Sequence, residues 1–208
     1  GAGHNIAIRE ILNSSKYHLV LNPDVYFQPD VIRKLYDFME EHRSIGQVMP
    51  KVFYPDGRLQ LQCKLLPSPK TLILRRFLNF LHFSLKRENY HYEFQFSGYD
   101  KVMDVPFLSG CFMFLRTEAL KKVGLFDERF FLYTEDTDLT RRIHRHFRTV
   151  YYPDATIYHH YARGAYNDFW LLWKSVQSTV KYFNKWGWFN DQEREYINRR
   201  ILLNFNSE

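Results

Sequence analysis

The chain has 208 residues, 45% of them hydrophobic and 25% charged, a balance that suits one globular domain with a real core and argues against disorder. A formal charge of +6 with 18% aromatic residues favours an anionic partner: a nucleotide phosphate, a membrane headgroup or nucleic acid. No run approaches the roughly 18 apolar residues that span a bilayer and the opening residues do not read as a signal peptide, so any membrane contact is expected to be peripheral.

Gly1-Ala2-Gly3-His4-Asn5 reads as a backbone-permissive loop leading into an amphipathic helix with Ile6, Ile8, Ile11 and Leu12. Tyr17 to Leu21 is a short buried strand, stopped by Asn22-Pro23-Asp24, because proline supplies no ladder donor and restricts the residue before it. Pro29 suits the first helical position of a segment whose Ile32, Leu35, Tyr36, Phe38 and Met39 share a face. Gln47 to Phe53 and Leu59 to Cys63 are expected to form a hairpin around Tyr54-Pro55-Asp56-Gly57. From Thr71 to Arg87, apolar residues interleave with Arg75, Arg76, Lys86 and Arg87 as in a basic amphipathic helix, which suits core packing and a membrane surface about equally.

Val102 to Phe107 runs into Leu108 to Leu115, an apolar strand interrupted by Ser109-Gly110, where a ligand or another backbone can approach closely. Thr117 is a candidate cap for a helix over Glu118 to Val123, ended by Gly124. Thr149 to Tyr152 and Ala155 to Tyr158 read as two short strands around Pro153-Asp154, leading to His159 and His160; from about Asn167 to Leu203 the chain is helical, aromatic and basic. Cys63 and Cys111 sit in apolar surroundings without a paired spacing, so reduced core thiols and a reducing cytoplasm are expected.

The densest chemistry lies in Phe130 to Arg142, where Glu135, Asp136 and Asp138 crowd together behind Thr134, a reasonable helix N-cap. A helix N-terminus favours one or two acids; three repel one another unless a cation, a basic side chain or a substrate proton sits among them. Asp138 is accounted for by helical pairing with Arg141 or Arg142, and Glu135 by the dipole. Asp136 has no basic residue at helical spacing on its C-terminal side and is the acid that local structure explains least.

Together, Gly1 to Asn5, Leu21-Asn22-Pro23-Asp24, Phe107-Leu108-Ser109-Gly110, Val123 to Leu139 and Tyr152 to His159 resemble, in order and spacing, the inverting glycosyltransferases of family 2, most closely the rhamnosyltransferase-like branch. The resemblance implies an α/β architecture of the nucleotide-diphospho-sugar transferase (GT-A) type, a mixed sheet flanked by helices. It begins partway into the family pattern, so the strands that hold the nucleobase are expected to be missing. Residues 1–162 would be the metal and acceptor half of that domain and residues 163–208 a helical extension. By the resemblance Asp136 is the general base with Glu135 beside it, Asp24 and His159 (with His160 as the alternative) reach a Mg²⁺ or Mn²⁺ ion, and Asn22 stands where a first metal-binding carboxylate would be. Ser109, Gly110 and Arg163 would contact donor or acceptor, Gly110 by leaving room for the sugar.

The implied activity is transfer of a sugar such as rhamnose from a nucleotide-diphosphate sugar to a cell-surface glycan or lipid-linked acceptor, with inversion, at the inner face of the cell membrane. A remnant or interaction module of the same fold is the alternative. Nucleic acid is not an expected partner, because basic residues are spread along the chain rather than gathered in a recognised module. With its neighbours missing, the strand at Leu19-Val20-Leu21 would have an unpaired edge that invites self-association.

Overall fold

A computed structural model describes residues 1–72, 85–160 and 169–205. Helices α1 (Ala2–Ile11), α2 (Asp30–Glu41), α3 (Leu85–Tyr92), α4 (Thr117–Val123), α5 (Glu135–His144), α6 (Phe169–Trp186) and α7 (Gln192–Phe205) accompany eight strands. These are β1 (Tyr17–Leu21), β2 (Val25–Phe27), β3 (Ile45–Phe53), β4 (Cys63–Lys64), β5 (Met103–Asp104), β6 (Phe107–Leu108), β7 (Phe112–Arg116) and β8 (Arg148–His159). The main sheet runs β1-β7-β3-β8-β2, with β5 also on β8; β3 and β8 are parallel and the other pairs antiparallel, so the expected mixed α/β sheet is present. A separate two-stranded ladder joins β4 to β6.

The outermost strands of the main sheet, β1 and β2, are joined by only Asn22, Pro23 and Asp24. Four residue steps reach about 14 Å, whereas the edges of a flat five-stranded sheet lie about 19 Å apart. The sheet must therefore curl at this end, and Phe27 of β2 does meet Phe112 of β7 edge-to-face at 5.7 Å.

Several local expectations change. Helix α1 already includes Ala2 to Asn5, which had read as a loop, and Ile6 faces solvent while Ile8 is buried. The expected hairpin reduces to a turn closed by Tyr54 and Arg58 and one bridge between Phe53 and Leu59, because Cys63 and Lys64 pair instead with Leu108 and Phe107. Likewise Met103 to Leu115 is not one strand: β5, β6 and β7 enter three different ladders, with Ser109-Gly110-Cys111 as the joint. Conversely, the two strands expected around Pro153-Asp154 are one, with three extra residues bulged out between the pairs Pro50–Tyr152 and Lys51–Thr156; proline cannot donate to the ladder on either side of the slip. Thr117 is the first helical residue of α4, and its hydroxyl makes no capping bond. Most of the basic stretch Thr71 to Arg87 lies outside the described residues, as does Arg163.

Cys63 and Cys111 are free and buried, as expected; burial pushes both thiols up, Cys111 to about 12. Strand β1 pairs only with β7 among the described residues, so its other side is an open edge, with Val20 turned into the core. The C-terminal helices are tied into the same body. Ile197 and Ile201 of α7 belong to the main core, and Tyr182 and Phe183 of α6 pack on Phe130.

Arg141 on α5 is fully buried and forks onto both oxygens of Asp191 at 2.7 Å, while its guanidinium stacks 4.1 Å over the Trp186 ring. Sequence spacing offered Asp138 either Arg141 or Arg142, and the pair that forms is the one with Arg142. Asp138, fully buried, bonds to Arg142 at 2.8 Å, to Lys185 at 2.6 Å and to the Trp186 indole N–H at 2.8 Å. The start of the acidic helix is thus bolted to α6 and to the α7 entrance. Glu193, 2.7 Å from Arg141, would keep part of the guanidinium charge paired, so Asp191→Ala is expected to cost about 2 kcal/mol in urea denaturation, with an unchanged midpoint as the contrary result.

Candidate active site

A cleft of about 630 Å³ opens where the curled end of the sheet meets the N-terminus of α5. Asn22, Ser109, Gly110, Glu135, Asp136 and His159 all line it. Asp24 joins them through His159, whose Nε2 lies 3.3 Å from Asp24 Oδ1. This convergence follows from the topology: Asn22 N–H bonds to the Cys111 carbonyl, and Val25 pairs with His159 across β2 and β8. The link between the edges therefore carries Asp24 to His159 and Asn22 to the Ser109-Gly110-Cys111 joint. Of the remaining expected residues, His160 is exposed, its N–H bonding the Asp24 carbonyl, and Arg163 is not among the described residues.

Asp136 is held from two sides. Its Oδ2 accepts the Gly110 N–H at 2.7 Å, and its Oδ1 accepts the Thr137 N–H at 2.7 Å and the Thr137 hydroxyl at 3.4 Å. Gly110 matters here in a way the sequence did not suggest. A Cβ built on it would stand 3.0 Å from the Asp136 Cβ and 3.1 Å from Oδ2, so its missing side chain makes room for Asp136. Glu135 has one such partner, the Thr134 N–H at 3.1 Å. Thr134 does precede the helix, yet its hydroxyl caps nothing; the Thr137 N–H that it would accept goes to Asp136 Oδ1 instead. The residue before it, Tyr133, lines the cleft with φ 76°, an uncommon conformation for a side chain of that size.

Burial raises the pKa of both acids, and the charge of Asp136 adds to the shift of Glu135, which is pushed up to about 7. Within the pair the donors decide where a proton resides. Three hydrogen bonds and the nearby Lys64 charge oppose the effect of burial at Asp136 and favour its carboxylate over that of Glu135.

The other wall is built on a side-chain chain from Gln60. Its amide nitrogen donates to the His159 carbonyl at 2.6 Å, and its Oε1 accepts from Gln62 at 2.8 Å and faces His159 Nδ1 at 3.0 Å. With the amide fixed in that sense, Nδ1 must carry the hydrogen. Burial lowers the His159 pKa and favours the neutral ring, whose Nε2 lone pair then points at the Asp24 carboxylate. Two acceptors facing each other at 3.3 Å suit a cation between them. Among the described residues no group of three or more His, Cys, Asp or Glu side chains gathers to hold a metal. The donor set therefore fits a hard divalent ion only if substrate oxygens and water complete its shell.

Sequence reasoning missed Gln60, Gln62 and Lys64. The signal was there in the alternation of Leu59-Gln60-Leu61-Gln62-Cys63-Lys64, which puts the polar side chains together when the backbone is extended. It also missed Asn5, whose amide brackets Phe126 through both backbone groups at 2.8 and 3.0 Å and so docks α1 onto the segment entering α5.

With its mixed α/β sheet, the chain belongs to the family described as Glycosyltransferase like family 2, which it matches over residues 1–178. It is similar to the N-acetylglucosaminyl-diphospho-decaprenol L-rhamnosyltransferases of two strains of Mycobacterium tuberculosis. Each is 31% identical over 152 residues, covering 72% of this chain and 48% of the relative. The chain thus spans about half the length of the curated relatives it matches.

Because the folded Glu135 pKa of about 7 exceeds its ordinary 4.5, the unfolded chain releases that proton first as pH rises. Between those values the folded state binds more protons and loses stability with increasing pH. Glu135→Gln should flatten this decline, matching the parent near pH 4 and exceeding it at pH 8 in denaturant titrations; parallel pH profiles would contradict the assignment.

Proposed function

We propose that this chain forms the metal and acceptor side of an inverting transferase that moves a sugar, rhamnose by analogy with the relatives, from a nucleoside diphosphate to a glycan on a polyprenyl diphosphate. One observation carries the reading: a carboxyl group that accepts three hydrogen bonds shares a cleft with a carboxylate–imidazole pair suited to a diphosphate-bound cation. The acceptor class is taken from the printed name of the relatives, which act on a decaprenol-linked acceptor. Such an acceptor is membrane-borne, so the work on this reading is done at the inner face of the cell membrane.

In this mechanism Asp136 accepts the proton of the acceptor hydroxyl as its oxygen bonds to the anomeric carbon from the face opposite the leaving group. The bond from that carbon to the diphosphate oxygen breaks, the nucleoside diphosphate leaves with the electron pair, and configuration inverts. Glu135, protonated, keeps a second negative charge away from the base and can donate to a sugar oxygen. Asn22 and Ser109 line the cleft where donor or acceptor hydroxyls would sit. Asp24 and His159 would hold Mg²⁺ or Mn²⁺ against the diphosphate, and the ion would supply charge neutralisation of the leaving group. Gln60 fixes the ring that faces it. The open edge of β1 is, in the same reading, a surface for pairing with a further strand or a second copy.

Asp136→Asn keeps the size of the side chain but removes the base, and its single oxygen can accept only one of the Gly110 and Thr137 N–H groups. Transfer to a polyprenyl-diphosphate acceptor by the full-length protein should fall by about 10²- to 10⁴-fold with little change in substrate KM. Undiminished turnover would remove Asp136 from the base role, and absence of turnover in the parent would leave a binding module of the same fold. Gln60→Leu frees the His159 ring, so Mn²⁺ affinity read by electron paramagnetic resonance with nucleoside diphosphate present should weaken by about 10- to 100-fold. In ¹⁵N spectra the Nδ1–H form of His159 should give way to a mixture of tautomers. Unaltered affinity and ring spectra would show that Gln60 is a bystander.

A further inference from the structure

Helix α6 has two faces. Ser178, Tyr182 and Phe183 turn inward, while Phe169, Trp173, Val176 and Val180, spaced by four, three and four residues, form an exposed stripe on one side. Phe169 is 82% and Trp173 54% exposed, far more than a stripe made for the core of this chain would show. The stripe does not end with the helix. Trp170, also exposed, meets exposed Phe131 edge-to-face at 5.6 Å, and the next two residues, Leu132 and Tyr133, line the cleft. Leu132 is fastened to α6 by its N–H on the Ser178 hydroxyl at 3.3 Å. An apolar, indole-rich apron therefore leads to the lip of the active-site cleft.

The charges around the apron select its occupant. Helix α6 has no acidic residue and, besides Lys185, which Asp127 and Asp138 hold, it carries Lys174 and Lys181; Lys174 lies 5.7 Å over the Phe131 ring and 5.5 Å over that of Trp170. A second copy would set lysines against lysines, which is repulsive. An anionic lipid surface answers both features, since indoles favour the interface between headgroup and acyl chain and lysine stems extend along apolar surface to keep their ammonium groups among phosphates. No described helix is long and apolar enough to cross a membrane, so the contact is with one leaflet. We propose that the stripe on α6, continued by Phe131, is the membrane-docking surface of this protein and holds the cleft mouth at the bilayer face. This rests on the transferase reading only in giving the surface a purpose: a lipid-linked acceptor would enter the cleft without leaving its leaflet.

The test is sedimentation of the full-length protein with phosphatidylglycerol–phosphatidylcholine vesicles and with phosphatidylcholine alone. Binding should require the anionic lipid, weaken with salt, and be quenched by brominated acyl chains at the tryptophans. The triple variant F169A/W170A/W173A should bind about tenfold or more weakly, with an unchanged thermal melt. Absence of binding, equal binding by the variant, or parent dimers that the variant abolishes would overturn the proposal. A short-chain, water-soluble acceptor separates the two readings. The variant should use it as well as the parent while losing turnover of vesicle-embedded acceptor; no turnover by either protein would end the transferase reading while the vesicle data still judge the surface.

Discussion

The shortness of the link between β1 and β2 is the constraint on which the site depends. Because three residues must connect the two outer strands, the sheet is forced to curl, and the curl brings together side chains drawn from the two edges. Proline in the middle of that link restricts the backbone of Asn22 and helps hold the sharp path. Without it Asp24 would lie across the sheet from the Gly110 joint, and a carboxylate pair at the start of α5 would face an empty wall.

The second support is the anchoring of α5. A base has to stay within hydrogen-bond reach of a hydroxyl, and a helix start carrying three acids is an unstable place to keep one. Here each acid has its own arrangement. Asp138 is neutralised by Arg142 and Lys185, the Glu135 carboxyl is pushed up to about 7 by burial, and Asp136 takes backbone donors from both sides. Arg141 then ties the next turn of the helix to Asp191. The C-terminal helices thus act on the site by fixing its frame, and their outer surface is left for something else.

Much of this was legible in the sequence because it is local. The strand at Tyr17 to Leu21, helix α2 after Pro29, the Gly124 stop and the acidic helix start follow from periodicity and turn chemistry; the convergence of Asp24, Asp136 and His159 followed from the family resemblance. What could not be read were pairings decided by distant competition. Cys63 and Lys64 look like the second arm of a hairpin until Phe107 and Leu108 take their ladder positions. Spacing leaves Asp138 a choice of Arg141 or Arg142, and nothing local says that Asp191, fifty residues on, takes Arg141 with two parallel bonds and leaves Arg142 to Asp138. Gly110 reads as a gap for a ligand because nothing local says that Asp136 fills it.

The central claim is that the two walls of the cleft work on one substrate. A crystal structure of the full-length protein with Mn²⁺ and a nucleoside diphosphate, examined in an anomalous difference map, tests it most directly. The account predicts a single manganese peak within coordination distance of Asp24 Oδ1 and His159 Nε2, with the diphosphate on the side of the cleft facing Asp136. A peak elsewhere with nothing between those two side chains, or a diphosphate turned away from Asp136, would contradict it.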